Sequence, residues 1–130
     1  MQKKFLFLGA LCAMTGVGMG AFGAHGLKHI LSPEVMAVYQ TGVTYQMWHS
    51  LGLILIVLIQ QQTVMSKQLN LAAWLMFVGI LIFSGSLYLL AILDQKWLGA
   101  ITPIGGVCFI AAWLLIAVFA AKNPTSSSGN

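Results

Sequence analysis

Charge is what this chain has least of. Six lysines and two carboxylates are all the charged side chains in 130 residues, and arginine is absent. A soluble domain carries roughly 25% charged residues, against 6% here, with a mean hydropathy of +0.92. So few charges cannot solvate a surface of this size, so lipid is the solvent for most of the chain. Glu34 and Asp94 are the only carboxylates, which leaves no acidic pair buried for acid–base work. Six scattered lysines make no nucleic-acid surface, although the net charge of +4 suits anionic lipid head groups. Two cysteines, Cys12 and Cys108, sit inside apolar runs, make no disulfide scaffold and read as small hydrophobes.

Long apolar runs are what the chain has in excess. A bilayer core takes about 20 apolar residues per helix. Four charge-free stretches meet that length, at 5–24, 41–59, 69–93 and 99–121. Their connections are short, which predicts antiparallel neighbours and an all-α, up-down bundle of four transmembrane helices in one domain. The polar segment 122–130 holds almost no apolar residue and reads as a disordered tail. Ser32-Pro33-Glu34 is a helix-start signature, so the second helix is expected to begin before its span does. Trp48, Trp74 and Trp97 fall near the expected boundaries as belt residues do, whereas Trp113 falls inside a span.

Lysine bias sets the expected orientation. With the N-terminus inside, cytoplasmic segments hold Lys3, Lys4, Lys67 and Lys122, and the outer loops hold Lys28, Lys96 and both carboxylates. The positive-inside rule therefore favours cytoplasmic N- and C-termini. The start MQKK followed by an apolar run and AFG resembles a cleavable export signal. Its length and its glycines at 9, 16, 18 and 20 suit a spanning helix better.

Glycine is dense in the first run, and GMGAFGAHGLKH packs four glycines and two histidines into twelve residues. Gly9, Ala13, Gly16, Gly20 and Ala24 recur at steps of four, three, four and four, one face of a helix. Small residues on one stripe let a second helix approach closely in lipid. Gly79, Phe83 and Ser86, then Gly99, Gly105 and Gly106, suggest further contacts, and Gly85 between Ser84 and Ser86 suggests another.

Polar residues are scarce enough to stand out. Tyr45, Gln46 and His49 form a polar face with Gly42 on the second helix. Ser84 and Tyr88 stand on the third helix, Thr102 and Pro103 open the fourth, and His25 ends the first. In the up-down arrangement these segments share one membrane side, so the polar cluster is expected in the outer half. A hydrogen-bond network between helices is the plain reading. A site for a lipid-soluble ligand is the next, and a metal or haem held by His25 and His49 ranks below it, because no cysteine or carboxylate joins them at ligand spacing. No cofactor is therefore expected. No nucleophile–base pair is evident, which argues against an enzyme. No ring of like charge or carbonyl filter appears, which argues against transport by one copy but leaves a path through several copies open.

Four blocks carry a family likeness: GAFGAHGLK, TGVTYQMWHSLGLILI, FSGSLYLLAI and LGAITPIGGVCFIAAWLL. In this order, over nearly the whole chain, the sequence resembles the YgdD-like family of small bacterial membrane proteins, a domain of unknown function. That family is similar to a small eukaryotic transmembrane protein. The resemblance implies a four-helix inner-membrane protein and implies no activity. Its motif positions fall here on Gly20, Gly23, His25 and Gly26, on Tyr45, Gln46 and His49, and on Ser84, Gly85, Ser86, Tyr88, Thr102, Pro103, Gly105 and Gly106. The expected function is that of an accessory or assembly subunit, packing through glycine-rich faces against lipid and against copies of itself or other membrane proteins. A binding module for a lipid-soluble ligand, metal or haem at His25 and His49 is the alternative.

Overall fold

The computed structural model describes residues 2–123, so the expected tail falls outside them from 124 onward; Lys122 closes the last helix and Asn123 follows it. Four helices are long and apolar enough to cross a membrane: α1 (Gln2–Leu27), α2 (Pro33–Gln61), α3 (Lys67–Leu93) and α4 (Lys96–Lys122). No strand occurs among the described residues. The chain is thus the four-helix membrane protein that its hydropathy predicts.

Local chemistry explains the helix ends. Ser32 caps α2 by accepting from the Val35 amide at 3.3 Å, and Pro33 fills the first helical position, where a missing N–H costs nothing. Ser66 caps α3 in the same way, accepting from Leu69 at 3.3 Å. Asp94 adopts the left-handed conformation (φ 52°) that ends α3. A 3-10 turn over Lys96–Ala100 then leads into α4, with Pro103 in the first turn of its regular part.

α2 and α3 form the buried pair, with α1 packed on α2 and α4 packed on α3. The core runs through the bundle in three clusters. Phe5, Leu53, Ile56, Leu69, Met76 and Ala112 fill the end that carries the chain termini. Cys12, Ile80 and Phe109 pack at mid-depth, and Leu27, Tyr39 and Ala91 pack at the opposite end, which holds the α1–α2 and α3–α4 loops.

Two wide, π-helical turns interrupt the α-helices, at Gly23–Leu27 and Ile80–Ser84. Such turns often mark close packing or functional positions. The second lies where α4 comes nearest to α3. A Cβ on Gly105 would lie 2.5 Å from the Phe83 backbone nitrogen, so only glycine fits there. Ser84 and Ser86, two residues apart, are both buried because α3 is sandwiched, one serine facing α2 and the other α4.

The glycine stripe of α1 departs from the expected face only in part. Phe5, Gly9, Cys12, Gly16, Gly23 and Leu27 are the buried positions, so Gly9 and Gly16 lie as expected while Gly23 is buried in place of the exposed Ala24. Gly9 packs on Ile54 and the Ser50 carbonyl, Gly16 on Met47 and Gln46, and Gly20 on Val43. One expected packing glycine is not a contact. Gly85 has nothing within 4 Å of where a Cβ would stand, whereas Gly106 faces the Phe83 ring at 3.9 Å. Gly79 and Gly52 instead admit aromatic rings, those of Phe109 and Trp113.

These contacts separate tolerant from intolerant glycines. Gly105→Ala should cost about 1–3 kcal/mol, because backbone must move to admit the methyl group. Gly18→Ala and Gly85→Ala meet open space and should be neutral or slightly stabilising through helix propensity. Thermal unfolding of the three variants in one detergent checks the order.

Candidate functional site

The polar residues of α2 each meet a different neighbour, as their spacing around the helix requires. Gln46 points into the interior and ties three helices together. Its Nε2 donates to the Cys12 carbonyl at 2.8 Å and to Thr15 Oγ1 at 2.9 Å, both on α1. Its Oε1 accepts from the Tyr88 hydroxyl of α3 at 2.6 Å. One turn earlier, the Gly42 carbonyl accepts from Ser84 Oγ at 2.7 Å, and the missing side chain makes room for the Tyr88 ring. Tyr39 donates to the Met19 carbonyl of α1, with its ring 5.2 Å from that of Tyr88. Thr102 and Ser86 join α4 to α3 through hydroxyls 2.6 Å apart.

His49 faces the other way, toward α4, and is 4% exposed. Its Nδ1 lies 2.7 Å from the Tyr45 carbonyl, and its Nε2 lies 3.1 Å from the indole nitrogen of Trp113. An indole N–H can only donate, so Nε2 holds the lone pair and Nδ1 the hydrogen, which it gives to Tyr45. The ring also stacks on Phe109, with centroids 3.5 Å apart. Both nitrogens of a neutral imidazole are thereby engaged, and neither is left for a metal. Trp113, out of place in an interfacial belt, is the partner of the buried histidine.

His25 is not part of this arrangement. It is exposed at the end of α1, in the wide turn whose Gly23 abuts the Tyr39 ring. His49 lies ten residues beyond Tyr39 on α2, about 15 Å deeper at the helical rise. The pair therefore cannot share a metal or haem. Among the described residues no three His, Cys, Asp or Glu side chains come together as a metal site.

Counted from Pro33, Gln46 and His49 are the 14th and 17th of the 29 residues of α2, so they lie at its middle. Ser84, Ser86, Tyr88 and Thr102 stand nearer the loop end. Trp48 is likewise at mid-helix and not at a boundary. It is exposed beside a groove of about 400 Å³ whose walls include Tyr45, Phe83, Phe109 and Trp113. A second groove, of about 290 Å³, lies between α1 and α2 over Gly20, Gly23 and Tyr39.

Several polar residues that the sequence pattern passed over carry contacts of the same kind. Thr15 receives the Gln46 amide, Ser50 donates to the Gln46 carbonyl, and Gln68 reaches the Leu115 carbonyl of α4 at 2.7 Å. Gln60 clamps the α2–α3 loop through Ser66 and Asn70. The only signal for them in sequence is a lone polar residue within or beside an apolar run.

Removing the Gln46 side chain amide should be the costliest polar change. Gln46→Leu leaves the Tyr88 hydroxyl without its partner, while Thr15 keeps its bonds to the Leu11 and Cys12 carbonyls, for about 1–3 kcal/mol by the usual penalty for a buried unpaired group. Chemical denaturation in mixed micelles measures it. Nitrogen NMR of labelled histidine should show Nδ1 protonated and Nε2 unprotonated at His49, and Trp113→Phe should shift the Nε2 resonance.

Sequence comparison places these features among known relatives. The family described as a protein of unknown function (DUF423) matches residues 19–106. A UPF0382 membrane protein of Staphylococcus haemolyticus is 53% identical over 121 residues, covering 93% of this chain and 98% of that protein. The UPF0382 membrane protein YwdK of Bacillus subtilis is 47% identical over 121 residues, with the same shares of both chains. No solved structure matches.

Proposed function

The chain belongs to the DUF423 family of unknown function, and on that footing we propose that this small integral membrane protein is an accessory or assembly subunit. It works by packing against other membrane proteins or copies of itself, and it lacks chemistry of its own. The observation that carries this reading is the closure of the polar network. Among the described residues no buried side-chain nitrogen or oxygen lacks a hydrogen-bond partner. A group poised for catalysis or ligation needs a free lone pair or proton, and Gln46, Tyr88 and His49 have theirs committed to neighbouring helices. What the protein offers its surroundings is surface, chiefly the outward faces of α1 and α4, since each of these packs on the bundle along one side.

The lysine distribution supports an inner-membrane location with both termini in the cytoplasm. Lys3, Lys4, Lys67 and Lys122 stand at the terminal end, while Glu34 and Asp94 stand at the loop end. Reporter fusions at Asn130 and in the Lys28 loop test it. Activity of a cytoplasm-dependent reporter is expected at Asn130 alone, and the reverse pattern inverts the assignment.

Native mass spectrometry with an absorption spectrum, on protein extracted gently from its own membrane, tests the accessory role. A particle heavier than one chain, made of protein and membrane lipid without chromophore or other small organic ligand, is the expected result. His49→Ala should lower the melting temperature without removing any bound molecule. A chromophore or organic ligand present in the parent protein and lost in His49→Ala would overturn the proposal.

A further inference from the structure

The contact between α2 and α4 divides at Trp113. On the loop side lies the aromatic groove. On the terminal side a separate groove of about 330 Å³ opens between the last turns of the two helices. Its walls are ordered by polarity. Ile59, Ile116 and Phe119 are apolar, and Gln62, Thr63 and Asn123 form the rim at the helix ends. Its lining on α4 runs from Ile116 to Asn123, seven residues and about 10 Å at the helical rise. The groove therefore reaches partway into one leaflet, apolar inside and polar at the head-group level.

The charge at this end of the bundle has one sign. Lys3, Lys4, Lys67 and Lys122 lie at this end of the bundle, and among the described residues no carboxylate does. Lys4 is held over the Trp74 ring at 4.4 Å. Lys122 immediately precedes the rim residue Asn123. Thr63 and Asn123 turn their donors back to the Ile59 and Phe119 carbonyls, whereas among the described residues the exposed Gln62 amide makes no side-chain hydrogen bond. An exposed amide and a lysine beside the mouth of an apolar groove match a phosphate head on an acyl chain.

We infer that this groove seats one anionic phospholipid of the leaflet on the terminal side, with an acyl chain along Ile59, Ile116 and Phe119 and its phosphate at Gln62, Asn123 and Lys122. The inference is independent of the accessory role, which rests on the closed network at His49 and Gln46. Lipid bound here is the one small molecule that role accommodates.

The test uses the full-length protein in phosphatidylcholine nanodiscs with and without phosphatidylglycerol, read by native mass spectrometry after release. One phosphatidylglycerol per chain should be retained in preference to phosphatidylcholine at equal abundance. Lys122→Gln should reduce that preference about fivefold, the share of one lysine near an anionic surface. Ala120→Trp, at an exposed position on the groove wall, should fill the groove and lower retention to the phosphatidylcholine level. Should that variant fail to fold, Gln62→Leu combined with Lys122→Gln, both at exposed positions, reads the same loss. Equal retention of the two lipids by the parent protein would overturn the inference. So would undiminished retention in the folded Ala120→Trp or double variant.

Discussion

Lipid offers no hydrogen bond, and the rest of the structure follows from that constraint. In water an unpaired amide or hydroxyl inside a helix bundle can find a solvent molecule at the surface. In hydrocarbon each unmet group costs several kcal/mol, of order the penalty for transfer without a partner. The interior of this protein is accordingly arranged so that each buried polar side chain finds a partner, on its own helix or on a neighbouring one. Gln46 is the centre of the arrangement because an amide has donors and an acceptor on one rigid plane and can serve α1 and α3 together. His49 does the same for α4, through Trp113 on one side and its own helix on the other. The neutral histidine is thus a tie between helices, and this is why a site-like collection of residues reads as structure.

Glycine supplies the complementary half of the architecture. Helices in a membrane gain little from the hydrophobic effect on meeting each other, so close contact must come from dispersion and short polar bonds. Short bonds need near backbones. Gly16 stands beside Gln46, Gly42 beneath Tyr88, and Gly105 against the backbone at Phe83, so the principal polar ties are flanked by positions where a side chain would not fit. No glycine among the described residues has a positive φ, so none of them is needed for an unusual backbone. Their role is clearance.

Much of this was legible in the residues. The four spans, their antiparallel order and the Ser32-Pro33 helix start follow from composition, run length and capping chemistry. Gln46, Ser84 and Tyr88 were identifiable as polar residues that lipid would force inward, although their pairing was not. The errors have definite physical sources. An i, i+4 stripe does not show which of two neighbouring residues faces inward, so Ala24 was favoured over Gly23 until the helix phase was known. Gly85 is grouped with the packing glycines because composition cannot distinguish a glycine in contact from one in open space. His25 was joined to His49 because both are histidines on the same half of a topology diagram, yet one belongs to an exposed wide turn and the other to the middle of a helix.

The sequence by itself determined the solvent, the number of crossings and the inventory of polar groups that would have to be satisfied inside. These are properties of single residues and of run lengths, and transfer into lipid acts on them locally. Only the tertiary structure decided the partners. Whether Trp113 would face lipid or His49, and whether Gln46 would meet α1, α3 or both, depends on helix rotation and crossing. Those are set jointly by all four helices, because a side chain's partner in a bundle is chosen by the surfaces that happen to fit against its own.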